Sequence, residues 1–87
     1  MYYMYVLQSE MNKSFYVGST NDLKRRFVEH NNGLSKFTKK FLPWKLMYYE
    51  AYPTYKLAYA REYALKKRAK GWQELLKRLE IKMWGGL

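Results

Sequence analysis

Hydrophobic and aromatic residues run almost without interruption from Tyr2 to Gln8, reading YYMYVLQ. A run this short, and this rich in strand-forming residues, predicts a buried strand. Ser9 to Lys13, SEMNK, is polar and predicts a turn, and Ser14 to Val17 predicts a second short strand, so the chain opens with a hairpin. Gly18 is expected to break that strand and allow a tight turn. Ser19, Thr20, Asn21 and Asp22 then offer several N-cap candidates. A helix is expected from about Asp22 to His30. On a helical wheel Leu23 and Phe27 form its apolar stripe, His30 falls below Leu23, and Arg26 sits at the edge. Lys24, Arg25 and Glu29 turn away from that stripe. Asn31-Asn32-Gly33 supplies the stop.

Leu34 to Pro43 reads as a basic loop, with Lys36, Lys39 and Lys40 set among Phe37 and Phe41. Trp44 to Tyr52, WKLMYYEAY, predicts a third strand that Pro53 ends. A helix from Thr54 or Tyr55 to about Arg68 follows. Its apolar stripe is read as Leu57, Ala60, Ala64 and Leu65, with Arg61 near the middle and Glu62 at the border beside Ala58 and Leu65. Gly71 separates a last helix, Trp72 to about Lys82, whose apolar side carries Trp72, Leu75, Leu76 and Leu79. Residues 83–87 are expected to form a flexible tail. The order is β-β-α-β-α-α. This predicts an α+β fold with a small, three-stranded, mostly antiparallel sheet flanked by helices, as one domain over residues 1–82.

Composition narrows what such a domain can do. At 87 residues it buries one modest core, and 48% hydrophobic residues argue for a folded chain. The absence of cysteine excludes a disulfide framework, a zinc knuckle and thiol catalysis. A single histidine excludes a His-rich metal site. No apolar run is long enough to span a membrane, and the N-terminus lacks signal-peptide character, so the cytoplasm is the expected compartment and no membrane partner is expected. The net charge of +10 sets up a field attractive to polyanions. Aromatic residues interleaved with the basic ones make nucleic acid the leading partner.

Three features carry chemistry. Arg26 and His30 lie one turn apart at a core edge beside a helix N-terminus, where free N–H groups favour an anion. The structural alternative is a snorkelling arginine and a hydrogen-bonded histidine. Glu62 at a core border needs a partner, a proton or a metal, and a salt bridge to a nearby lysine or arginine would meet that need. Lys36, Lys39 and Lys40 read either as a solvated charge run or, with Lys24 and Arg25, as phosphate contacts.

Tyr3-Met4-Tyr5 and Tyr16-Val17-Gly18 stand where the GIY-YIG nuclease superfamily carries its Gly-Ile-Tyr and Tyr-Ile-Gly motifs. Arg26, His30 and Glu62 fall in register with that family's helix arginine, its following His or Tyr, and its metal-binding glutamate. The chain resembles this superfamily over about residues 2–80. It is most similar to small stand-alone members related to the N-terminal catalytic domain of the UvrC excinuclease subunit. Tyr3 replaces the motif glycine. Ser19 stands where excinuclease members carry a lysine, which leaves a hydroxyl as a weaker phosphate contact.

The resemblance implies a metal-dependent DNA endonuclease that hydrolyses phosphodiester bonds, in DNA repair or recombination. It implies one divalent ion, Mg²⁺ with Mn²⁺ as the alternative, held by Glu62 and completed by water. Arg26 would stabilise charge on the phosphate. Tyr5, Tyr16 and His30 would orient the nucleophile or relay its proton, with the proton acceptor left open among them. A homodimer or a protein partner would supply specificity. Tyr5, Tyr16, Arg26, His30 and Glu62 are expected to line one concave surface. The rival reading is a non-catalytic nucleic-acid-binding module of the same fold.

Overall fold

The first apolar run becomes the middle strand because it is apolar on both faces. A computed structural model describes residues 1–67 and 70–84, and the side chains of residues 1–67 and 70–79. Strand β1 spans Tyr2–Ser9, and its residues Met4, Tyr5, Val6 and Leu7 are at most 2% exposed. Strand β2, Phe15–Thr20, pairs antiparallel on one side, with Val6 opposite Val17. Strand β3, Trp44–Tyr52, pairs antiparallel on the other, with Met4 opposite Glu50 and a register shift between Val6 and Leu7. The sheet order is β2-β1-β3. Both pairings are antiparallel, as expected, and the position of the third strand is now fixed.

Gly18 does not end β2. It lies inside the strand, directly opposite Tyr5. A Cβ at this position would sit 2.5 Å from the Tyr5 hydroxyl and 2.6 Å from its Cζ. The glycine is there for close approach, so that the Tyr5 ring can cross the neighbouring backbone.

The two sheet faces bury separate cores. Met4, Val6 and Val17 pack with Leu65, Trp72, Leu75 and Leu79. Tyr5, Leu7 and Trp44 pack with Tyr16, Leu23, Phe27, Phe41, Leu42 and Leu46. Helix α1, Leu23–Asn31, supplies the second core through Leu23 and Phe27, as its periodicity predicts. Asp22 caps it by accepting the Arg25 backbone N–H. Asn31 closes the far end as a staple: its Nδ2 donates to the Trp44 carbonyl at 2.9 Å and its Oδ1 accepts the Trp44 N–H at 2.6 Å. In the basic loop a 3₁₀ turn forms at Lys39–Phe41. Phe41 anchors this loop in the core, whereas Phe37 is exposed.

Helix α2, Tyr55–Lys66, is capped by Thr54 and is rotated from its expected orientation. Ala58, Glu62 and Leu65 face the sheet, while Leu57, Ala60 and Ala64 are exposed. Polar partners account for the rotation. Arg61 Nε and Nη2 donate to Glu50 on β3 at 3.0 and 3.3 Å. Tyr48 and Tyr52 donate to the same carboxylate, and burial with these bonds pushes the Tyr52 phenol up to about 12. A half-buried carboxylate with four donors outweighs the transfer energy of one leucine, and the small Ala58 lets the helix approach closely.

Helix α3 runs Lys70–Trp84, with Gly71 in its first turn rather than before it. Trp72, Leu75 and Leu79 are buried, each stabilising the fold by roughly 1.5–3 kcal/mol. The expected helix end at Lys82 is overrun by this helix; Arg68 and the last three residues of the expected tail lie outside the described residues.

Candidate active site

His30 enters the interior because it lies two turns after Leu23, on the buried side of α1. It is fully buried. The Tyr5 hydroxyl is 2.8 Å from its Nε2, and the Thr38 hydroxyl is 2.8 Å from its Nδ1. Thr38 is itself fully buried, and its carbonyl accepts the Trp44 indole N–H at 2.7 Å. Each hydroxyl can donate or accept, so this Tyr5–His30–Thr38 chain is satisfied in either tautomer. Burial, reinforced by the Arg26 charge, lowers the His30 pKa to about 4 and keeps the ring neutral at physiological pH. Burial, with Tyr16 alongside, pushes the Tyr5 phenol well above its ordinary range.

Around this chain lies a more open set of groups. The Tyr16 ring centroid is 5.0 Å from His30 and 6.4 Å from Tyr5, and the side chain is half-buried. The Arg26 guanidinium faces the Tyr5 and Tyr16 hydroxyls and is steadied by Glu29, Nη1 to Oε1 at 3.0 Å. Glu29 is thus half-buried and paired rather than turned away. Glu62 reaches the same place from α2. Ser19 Oγ donates to its Oε1 at 2.6 Å, and Lys66 Nζ lies 2.6 Å from its Oε2. The Lys66 ammonium is also 5.7 Å from the Tyr16 ring centroid. The site therefore straddles edge strand β2, with α1 on one side and α2 on the other.

Tyr5, Tyr16, Arg26, His30, Glu62 and Ser19 are brought together. They do not all line a surface, because Tyr5 and His30 lie beneath it. Lys24 and Arg25 are exposed on α1. Lys24 borders a separate cavity of about 520 Å³, shared with Tyr3, Phe27, Leu46 and Tyr49. Arg25 pairs with Glu29 and with Asn21. Lys36, Lys39 and Lys40 are exposed on the loop that carries Thr38.

Two site residues escaped the sequence reading. Lys66 stands four residues after Glu62, which is helical ion-pair spacing and a usable signal. Thr38 carried no signal, because its partner is reached only by the fold of the loop.

Among the described residues no three His, Asp or Glu side chains cluster as a metal cage. Glu62 with Ser19 beside it fits a looser arrangement. It offers one carboxylate, whose oxygens are held by Ser19 and Lys66, so a divalent ion there would draw most of its ligands from water.

A three-stranded antiparallel sheet of order β2-β1-β3, with a motif tyrosine on each of its first two strands and helices on both faces, defines a small α+β domain. The GIY-YIG catalytic domain family matches residues 1–74, and the chain belongs to this nuclease family. Its relatives include UPF0213 proteins of Streptococcus pyogenes serotypes M3 and M1. Each is 42% identical over 74 residues, covering 84% of this chain and 79% of its own. The solution NMR structure of UPF0213 protein BH0048 from Bacillus halodurans is similar as well. It matches with a TM-score of 0.55 and 32% identity, covering 91% of this chain and 85% of that one. Nucleases of this family act on nucleic acid and are generally dependent on a divalent metal.

Proposed function

We propose that this chain is a divalent-metal-dependent DNA endonuclease whose reaction centre lies over the edge of β2. The observation that carries the reading is Glu62. Although only 8% exposed, it is held at β2 by Ser19 and by Lys66, whose ammonium lies 5.7 Å from the Tyr16 ring centroid. Packing alone gives no reason for a carboxylate there.

Arg26 and Lys66 supply positive charge for the scissile phosphate, where negative charge gathers as water attacks phosphorus. Tyr16 is the half-exposed phenol of the set, so it meets and orients the water. Tyr5, His30 and Thr38 form a buried chain behind Tyr16 that fixes its surroundings and offers a path for a proton. Glu62 and Ser19 would hold the metal, which when bound supplies Lewis acidity and lowers the pKa of water. Lys36, Lys39 and Lys40 sit on the loop tied to His30 through Thr38 and contact the flanking phosphates.

A second reading has its own observation. Both Glu62 oxygens already have partners in Ser19 and Lys66, as a purely structural ion pair would. A cleavage assay on single-stranded, nicked and branched DNA, with Mg²⁺, Mn²⁺ or EDTA, decides between them. Glu62→Gln is expected to abolish metal-dependent cleavage while DNA binding survives. Arg26→Ala is expected to lose both affinity and about 10²–10³-fold in rate. A Glu62→Gln protein that cuts as fast as the parent would establish Glu62 as a structural ion-pair partner, and a parent that cuts none of these substrates with either metal would establish the non-catalytic binding module.

A further inference from the structure

The outer face of α2 carries a feature that neither core nor the reaction centre uses. Tyr55, Tyr59 and Tyr63 recur at every fourth residue and are 51%, 50% and 55% exposed. None of their rings belongs to either apolar cluster. Each nonetheless has a defined neighbour. The Tyr2 ring meets Tyr55 edge-on at 5.9 Å, and Tyr55 stacks on Tyr59 at 6.0 Å with 24° between planes. Lys67 Nζ lies 4.6 Å from the Tyr63 ring centroid.

The position of this ladder is set by helical geometry. At about 100° per residue, Tyr59 and Tyr63 lie roughly 60° and 100° round the helix from Glu62, on the same side as Lys66. The ladder therefore starts at the rim of the reaction centre and climbs away from it. Lys56, Lys67 and Lys70 are exposed along the same stretch.

We infer that this ladder is a docking strip for single-stranded nucleic acid, which places an unpaired stretch of the substrate beside the scissile phosphate. The chemistry singles out this occupant. Exposed aromatic faces bind base faces, which a closed duplex hides and an unpaired strand presents. Flanking lysines neutralise the phosphates between those bases. A second copy of the chain would bring another +10 charge against this one, which disfavours self-association on the strip. Where the strand leads rests on the nuclease reading; that the strip binds it does not.

The test is binding without cleavage. Fluorescence anisotropy in EDTA, at fixed salt, compares a short oligothymidylate with a duplex of equal length. The protein is the full chain, as parent, Tyr59→Ala/Tyr63→Ala and Tyr59→Phe/Tyr63→Phe. The alanine pair is expected to lose at least about tenfold in affinity for the single strand and less than about twofold for the duplex. The phenylalanine pair keeps the ring faces and should bind like the parent. The single change Tyr63→Ala should show the same selectivity to a smaller extent. No loss, or equal loss on both nucleic acids, overturns the strip. So does a parent that sediments as a dimer and becomes monomeric in the alanine pair, because the ladder would then be a self-association surface. Failure of the parent to cut DNA in the separate metal assay refutes the nuclease reading and leaves this readout intact.

Discussion

Removing His30 from water affects stability as well as the site. Its folded pKa of about 4 lies below the ordinary 6.5, so between these values the unfolded chain holds the extra proton. The contribution of a neutral His30 is therefore fully present above about pH 6.5 and is lost as pH falls toward 4. The loss approaches the order of 3 kcal/mol. Thermal melts between pH 7 and 5, above the titration of ordinary carboxylates, should show a falling midpoint. A flat profile across that window would mean that the imidazole is not held neutral. The same residue shows what a linear reading can find. Arg26, His30 and Glu62 were visible because polar groups stood on or beside an apolar stripe, whereas Tyr5 was marked only by its place in the motif that the resemblance rests on. Thr38 was invisible, since a threonine in a lysine-rich loop is unremarkable until that loop folds back over the imidazole. Gly18 was seen as a special residue but for the wrong reason, because close approach across strands leaves no local mark.

The presence of the three strands and the starts of α1 and α2 followed from local patterns, since caps, prolines and short aromatic runs act on their immediate neighbours. The face that α2 turns inward did not, because Glu50 on β3 draws Arg61 toward it across the sheet. Periodicity weighs hydrophobic positions only, and here a satisfied carboxylate decided the rotation. The junction of α1 with β3 is held in a similar way, by Asn31 bonded to both backbone groups of Trp44. Asn31→Ala leaves a half-buried N–H and C=O without those partners. It is expected to cost about 1–3 kcal/mol, read as a lower denaturation midpoint in urea with an unchanged slope. Trp44 also holds Thr38, so cleavage should fall in this variant even though Asn31 touches none of the reacting groups. Activity that persists at the parental level would show that the junction and the site are uncoupled.

Across the whole molecule, seventeen lysines and arginines against seven acids make association with nucleic acid an electrostatic process. Log affinity for duplex DNA should fall linearly with log salt, with a slope of about −0.9 for each phosphate neutralised. Lys36→Ala/Lys39→Ala/Lys40→Ala should make that slope shallower by up to about three contacts. An unchanged slope would place the phosphate backbone elsewhere on the surface. No described helix is long and apolar enough to cross a membrane.

The chain has one histidine, and the fold buries it beside Tyr5 and Tyr16, sealed at both ring nitrogens. The molecule thus contains its own spectroscopic beacon. A proton–nitrogen spectrum of the imidazole should show a single ring whose shifts stay constant from pH 8 to about 5. Both nitrogens are buried in hydrogen bonds, so the exchangeable ring proton should outlast those of exposed imidazoles. Any event that rearranges the site, whether a docked strand, a bound cation or a substituted neighbour, must then register on one resolved signal. A ring that titrates near 6.5 in the folded protein would mean that the core around it is open to water.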